Sequence, residues 1–189
     1  DLSESFDQVL AELEPNPDWV THRAKPPVMI LGTLQGVETG LRQLIRTTPL
    51  ETELFQTSGG QIRIPTLAEM IRIKGWLALT RNATRDYLDL AALTAHAGEA
   101  ARHAALDRFD DCYADVYRPG QGRDVDPLLQ LLRQMTEPKP YDLGQVDLAT
   151  YKGLVAPWTD WTAVRGQLRK IAAGLLLRQT EPGPEKPTA

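Results

Sequence analysis

The hydrophobic pattern of the chain changes at Pro65-Thr66, and this change constrains the fold more than any other feature of the sequence. Before it, the apolar run at residues 28–31 and the short stretch at residues 61–64 lie beside proline- and glycine-containing turns, a pattern typical of β-strands. After it, over residues 67–79, apolar residues recur at helical spacing. Strands followed by a run of helices predict an α+β fold, with a small mixed sheet in the N-terminal third and a helical C-terminal region.

The predicted elements divide the chain into three parts. One helix is expected before the strands and five after them: residues 3–13, 66–80, 84–98, 100–117, 127–135 and 161–178. The predicted strands are residues 28–31, 37–46, 54–55 and 61–64. The parts are then a partial α/β domain over residues 1–65, a helical domain over 66–180, and a proline-rich tail over 181–189 that is expected to be disordered.

Helix starts are predicted from capping residues. Thr66-Leu67-Ala68-Glu69 has the form of a capping box, in which the Thr hydroxyl accepts from the third amide and the Glu side chain reaches back. Thr84 is expected to cap the next helix. Asp126 precedes Pro127, which suits the first turn of a helix. Thr159 or Asp160 is expected to cap the last helix.

Composition excludes several classes of protein. With 21 Lys and Arg against 25 Asp and Glu, the net charge of -4 excludes a globally basic nucleic-acid binder. The single cysteine, Cys112, excludes an internal disulfide framework and a cysteine-rich zinc site. Neither a secretory leader nor an apolar run of about 20 residues is present. We therefore expect a cytoplasmic protein that does not contact a membrane.

The acidic chain contains one basic segment, residues 61–85. Its only acid is Glu69, and its basic residues are Arg63, Arg72, Lys74, Arg81 and Arg85. A local positive patch of this kind can attract phosphate groups although the whole protein is acidic. The alternative is a helical hairpin with a solvated basic face.

Two predicted helices would bring charged residues together at a hairpin. Lys74 lies in a largely apolar helix, where a lysine either extends to solvent or has an anionic partner. Asp86 and Asp89 are three residues apart and share one face of the next helix. The hairpin places Lys74 and Arg81 near these two carboxylates. The result is either a structural ion-pair cluster or a site where cations hold a triphosphate and a carboxylate positions a metal.

These residues resemble the downstream motif of the AbiEii/AbiGii-type nucleotidyltransferase toxins. The similar segments are Ile64-Pro65-Thr66-Leu67-Ala68-Glu69-Met70, then Lys74, then Arg81-Asn82-Ala83-Thr84-Arg85-Asp86-Tyr87-Leu88-Asp89-Leu90. Members of that family carry a helix with a lysine, then an arginine, then an Arg-Asp-x-x-Asp-Leu turn onto the next helix. The resemblance covers residues 61–178 and includes a later stretch at residues 146–161.

The resemblance implies a polymerase-β-like fold and transfer of nucleotides from a nucleoside triphosphate to RNA, with tRNA as the expected acceptor. It also implies Mg²⁺ as the metal and a cognate antitoxin as partner. Carried over to this chain, Lys74 contacts the nucleotide phosphates and Asp86 is the downstream catalytic carboxylate. Asp89 belongs with Lys74 and Asp86 to the catalytic set and, with Arg81, supports Asp86. Arg81 and Arg85 join Lys74 in binding the nucleotide, and Arg85 contacts phosphate or RNA.

The chain departs from the family in its upstream motif. The Gly-Ser pair and the Asp-x-Asp or Asp-x-Glu that follows it are absent, so the metal ligands are unknown. Asp124-Val125-Asp126 is the one Asp-x-Asp, and its position before Pro127 favours a helix cap. We expect an N-terminally incomplete nucleotidyltransferase fold, consistent with a chain that begins at Asp1. The alternative is a catalytically incomplete remnant that binds an antitoxin or RNA.

Overall fold

A computed structural model of the chain describes residues 2–117, 125–151 and 153–180. The chain divides into two compact units, Asp1–Thr47 and Thr48–Ala189. Helices dominate the second unit, and small antiparallel sheets occur in the N-terminal half, so the predicted α+β fold is confirmed. The proline-rich tail and Asp124 lie outside the described residues.

The first unit is a three-stranded sheet with one helix packed against it. Its elements are α1 (Leu2–Leu13), β1 (Trp19–Lys25), β2 (Met29–Leu34) and β3 (Val37–Arg42), with the strands in the order β1-β2-β3. Phe6, Trp19 and Ile30 form its buried core. β1 was not predicted from the sequence, because five of its seven residues are exposed and the strand lacks an alternating apolar pattern.

All strand pairs among the described residues are antiparallel, so the prediction of a mixed sheet is wrong. The physical reason is the length of the connections. Parallel neighbours need a crossover of about a dozen residues or more, whereas Gln35 and Gly36 alone join β2 to β3. Both have positive φ, 51° and 77°, as a tight hairpin turn requires.

The second unit begins with a β-hairpin and continues as a helical bundle. The hairpin strands are β4 (Thr52–Thr57) and β5 (Gly60–Pro65). The helices are α2 (Leu67–Arg81), α3 (Thr84–His96), α4 (Glu99–Asp107), α5 (Phe109–Tyr113), α6 (Pro127–Thr136) and α7 (Trp161–Thr180), with short 3-10 helices at Leu143–Gln145 and Leu148–Thr150. In the described part of the chain, no helix combines the length and apolar character needed to cross a bilayer.

α2 lies at the centre of the second unit, in contact with α3, α4 and α6. Gly75 allows its close approach to neighbouring helices, because a Cβ there would lie 2.9 Å from Leu131 Cδ2 and 3.0 Å from Phe109 Cε2. The next residue, Trp76, stacks on Tyr113 with ring centroids 4.3 Å apart. This packing fixes the position of α2 within the helical bundle.

The helix predicted over residues 100–117 is broken. Arg108, at φ −101° and ψ 7°, separates α4 from α5. After the break, Asp110 accepts a 2.7 Å hydrogen bond from the Leu128 amide at the start of α6. Asp126 makes no side-chain capping bond, although Pro127 occupies the first turn as predicted. The cap of α6 therefore comes from a neighbouring helix and not from the residue before it.

Candidate functional site

The α2–α3 hairpin carries the predicted site residues. α2 starts with one of the two bonds of the predicted capping box, in which the Glu69 amide donates to Thr66 Oγ1 at 3.1 Å. The Thr66 amide, which the capping box pairs with the Glu69 side chain, donates to the Glu51 carbonyl at 2.9 Å. Asn82 forms the C-cap of α2 in a left-handed conformation with φ 52°. Asn82 Nδ2 donates to the Lys139 carbonyl at 2.9 Å, and the Tyr87 hydroxyl donates to Asn82 Oδ1 at 2.7 Å. These bonds fix the turn and so the position of α3 relative to α2.

The N-terminus of α3 is capped by a distant carboxylate. Thr84 was expected to be the cap, and this prediction is wrong because Thr84 is already in the first turn. Asp142 Oδ1 accepts from both the amide and the hydroxyl of Thr84, each at 2.7 Å. Burial raises the pKa of Asp142, but the Thr84 hydrogen bonds outweigh it and hold the pKa below its ordinary value.

All five predicted site residues meet at this hairpin. Lys74 Nζ lies 2.6 Å from Asp89 Oδ2, and Arg85 Nε lies 4.0 Å from the same oxygen. Arg81 Nε lies 3.4 Å from Asp86 Oδ2. The Arg81 and Arg85 side chains are 57% and 68% exposed, so both guanidinium groups remain open to solvent. We call these five residues the hairpin cluster; three cations against two carboxylates leave it with one net positive charge.

Asp86 is the buried member of the hairpin cluster. Its side chain is 2% exposed, and Oδ2 makes no hydrogen bond within the described residues, since the Arg81 contact is an ion pair without hydrogen-bond geometry. Burial raises the pKa of Asp86 above its ordinary value, and the positive charges of Arg81 and Lys74 oppose this effect. A buried carboxylate with a raised pKa facing cations is a frequent feature of functional sites.

Two basic residues of the predicted patch do not join the hairpin cluster. Arg63 Nη1 donates to Thr52 Oγ1 within the β4–β5 hairpin. Arg72 is 1% exposed; it binds Glu69 Oε2 at 2.9 Å and Glu51 Oε2 at 2.6 Å. The Glu69 side chain thus serves this buried network. This network was not predicted from the sequence, because Glu51 is 21 residues from Arg72.

An apolar groove runs along the hairpin beside Lys74 and Asp89. Its volume is about 550 Å³, and its other lining residues are Met70, Ile73, Ala92, Leu93 and His96. The volume falls within the range of about 300–1,000 Å³ typical of small-molecule sites. The hairpin therefore combines a charged end with an apolar groove of ligand size.

The described residues do not fit the magnesium site that the resemblance implies. No group of three or more His, Cys, Asp or Glu side chains that could hold a metal ion occurs among them. Asp86 and Asp89, the two carboxylates of the hairpin cluster, each already face a cation. Metal-assisted phosphoryl transfer therefore has no complete ligand set among the described residues.

Comparisons with known proteins find partial relatives among transport proteins. The heme uptake protein MmpL11 of Mycobacterium tuberculosis is 33% identical over 135 residues, which cover 69% of this chain and 13% of that protein. The mycolic acid-containing lipids exporter MmpL11 of Mycolicibacterium smegmatis is 30% identical over 135 residues, with the same coverage. The chain thus spans about an eighth of the length of the curated relatives it matches. No family model and no solved structure matches the chain.

Proposed function

We propose that the chain acts as a binding module that holds the phosphates of an RNA, with tRNA as the expected ligand, at the hairpin cluster. The observation that supports this proposal is the convergence of Lys74, Arg81 and Arg85 at one end of the α2–α3 hairpin. The two arginines are exposed, and a guanidinium can contact two phosphate oxygens at once. Because Lys74 is engaged with Asp89, the arginines are the residues that contact phosphate first.

The salt dependence of tRNA binding tests this proposal. Binding driven by phosphate contacts weakens steeply as the salt concentration rises. Each lost contact reduces the magnitude of the slope of log K against log salt concentration by about 1. We expect Arg81→Ala and Arg85→Ala each to weaken tRNA binding and to reduce the magnitude of this slope. Fluorescence anisotropy of labelled tRNA measures both quantities. Arg23→Ala removes an exposed cation from the other unit and is the matched control. Equal effects of all three substitutions, or salt-insensitive binding, would contradict the proposal.

Nucleotide transfer is the further activity that the resemblance implies, and it is a separate part of the proposal. A nucleoside triphosphate would be its co-substrate, an antitoxin its partner and the cytoplasm its compartment. Its metal would be Mg²⁺, for which the described residues provide no ligand set. Incubation of the chain with tRNA, Mg²⁺ and a radiolabelled nucleoside triphosphate tests it. Labelling that Lys74→Ala and Asp86→Ala abolish would support transfer. Normal labelling by both variants would contradict the site assignment.

A second candidate function is heme binding in a transport process. It rests on the partial match to a protein named for heme uptake and on the groove of about 550 Å³ beside Lys74. Met70 and His96 line this groove, and methionine and histidine are the axial ligands of cytochrome c-type hemes. The apolar lining by Ile73 and Leu93 suits a porphyrin ring.

Heme titration separates this function from RNA binding. If the groove binds heme, addition of the chain should shift the Soret band of hemin, and His96→Ala should abolish the shift. His22→Ala, which removes a histidine of the other unit, should leave it unchanged. An identical Soret shift in the His96→Ala protein would contradict heme binding in the groove, whatever the outcome of the tRNA measurements.

A further inference from the structure

A second charged cleft lies between α4 and α7, on helices that contribute no residue to the hairpin cluster. Its volume is about 260 Å³, just below the lower end of the range for drug-sized ligands. We propose that this cleft binds a small phosphate monoester whose organic group is apolar. The proposal is independent of the RNA-binding function.

Cations outnumber acids on the walls of this cleft. Arg102, Lys170 and Arg178 line it, together with one acid, Glu99, which lies 3.8 Å from His103 Nε2. Lys170 is exposed and takes part in no ion pair among the residues described. Arg178 Nη2 also lies 4.0 Å from Asp107 Oδ2, outside the lining of the cleft. Arg102 and Lys170 are therefore the two permanent positive charges that favour a dianion over a neutral ligand or a monoanion.

Arg102 is held in place by the end of α3. Its Nη1 donates to the carbonyl oxygens of Thr94 at 3.0 Å and Ala97 at 2.5 Å. These two bonds use a single nitrogen of the guanidinium, which presents five N–H donors in a rigid fork. The side chain is therefore ordered before a ligand arrives, and less conformational entropy is lost when it contacts an anion.

The floor of the cleft is apolar and its entrance is kept open by a glycine. Ile171 and Leu175 line the cleft and are 9% and 8% exposed. Gly174 lies between them on α7, and a Cβ built on it meets no atom within 4 Å. A longer side chain at this position can extend into the cleft without disturbing the helix. An apolar floor beneath a cationic rim matches a phosphate group joined to an apolar body.

Titration of the isotope-labelled full chain with phenyl phosphate, followed by backbone amide NMR signals, tests the proposal. We expect saturable shifts at Gly174 and Lys170, weaker binding of inorganic phosphate, and none of phenol. Lys170→Gln should weaken phenyl phosphate binding about tenfold, since it removes a charge-assisted contact. Benzoate, with one negative charge, should bind more weakly than phenyl phosphate.

A pair of glycine substitutions on the same helix provides the decisive comparison. Gly174→Met should block the cleft and abolish binding, whereas Gly166→Met, which also meets open space on α7, should bind as the unmodified chain does. Thermal unfolding of both variants checks that each is folded. Undiminished binding by Gly174→Met would overturn the proposal. So would benzoate or phenol binding as tightly as phenyl phosphate.

Discussion

Lys74 Nζ lies 2.6 Å from Asp89 Oδ2, so two residues assigned to substrate phosphates and to catalysis are bound to each other. The Lys74 side chain is 28% exposed and that of Asp89 is 37% exposed. An ion pair that solvent reaches this freely contributes little to stability, about 0–1 kcal/mol. Its main effect is to neutralise the lysine that the proposed ligand would otherwise meet.

Removal of the Asp89 charge should therefore strengthen RNA binding. We expect Asp89→Asn to raise the affinity for tRNA and to increase the magnitude of the logarithmic salt slope by about 1, since it frees Lys74 for phosphate. Anisotropy titrations at several salt concentrations measure both quantities. Asp107→Asn makes the same change in net charge beside Arg178 and should have a smaller effect. A gain in affinity that is equal in the two variants would argue against a role for Lys74.

Substitution of Asp142 should destabilise α3. Asp142→Ala removes the acceptor of two 2.7 Å hydrogen bonds from Thr84, one of them from an unpaired amide of the first turn. We expect a loss of about 1–2 kcal/mol in the free energy of unfolding at neutral pH, measured by urea denaturation. Asp147→Ala removes a local bond to the amide of Ala149 and should cost less.

The pH dependence of this loss has a defined sign. The pKa of Asp142 is below its ordinary value of 3.8 in the folded chain, so its contribution is present above that value. The difference between the unmodified chain and Asp142→Ala should shrink as the pH falls below about 4. A difference that grows on acidification would contradict the assigned hydrogen bonds.

The sequence predicts a cap only where the capping atoms are close along the chain. Thr66 caps α2 through an amide three residues ahead, and Asp160 accepts from the Thr162 amide at 2.8 Å, as expected for the last helix. The caps of α3 and α6 come from Asp142 and Asp110, which are 58 and 18 residues from the amides they bind. Such bonds depend on how the helices pack, and local patterns carry no sign of them.

The same limit applies to the candidate site. Spacing alone predicts that Asp86 and Asp89 share a face, and the hairpin brings Lys74 and Arg81 to them. No local sequence pattern distinguishes these cations from Arg72. Arg72 lies two residues before Lys74 and is buried against Glu69. Arg72 is buried because the side of α2 that carries it faces α4. There the Ala104 carbonyl accepts a hydrogen bond from Arg72 Nη1 at 3.2 Å. The apolar groove likewise exists only once α2 and α3 are packed.

Loss of Arg72 should be the most destabilising of the charge changes considered. Arg72→Met would leave Glu69, itself 1% exposed, as a buried carboxylate without its cation. Breaking a buried pair in this way costs about 3–5 kcal/mol. Urea denaturation should show this loss, and Arg72→Lys should not restore full stability because an ammonium cannot reproduce the bonds that Nε, Nη1 and Nη2 make. Full stability of either variant would show that the network is dispensable.

The effect of Asp86→Asn on the free energy of unfolding should depend on pH in the opposite sense to the effect of Asp142→Ala. Burial raises the pKa of Asp86 in the folded chain above the ordinary value of 3.8, so the folded state favours the protonated carboxyl. The stability that this preference contributes is complete below about pH 4 and is lost as the pH rises through the folded-state pKa.

Asp86→Asn, which carries no titrating proton, should gain stability relative to the unmodified chain over the same range. Urea denaturation at a series of pH values from acid to neutral measures the difference. A difference that does not change with pH, or one that favours the unmodified chain more strongly at neutral pH, would mean that the Arg81 ion pair outweighs the cost of burial.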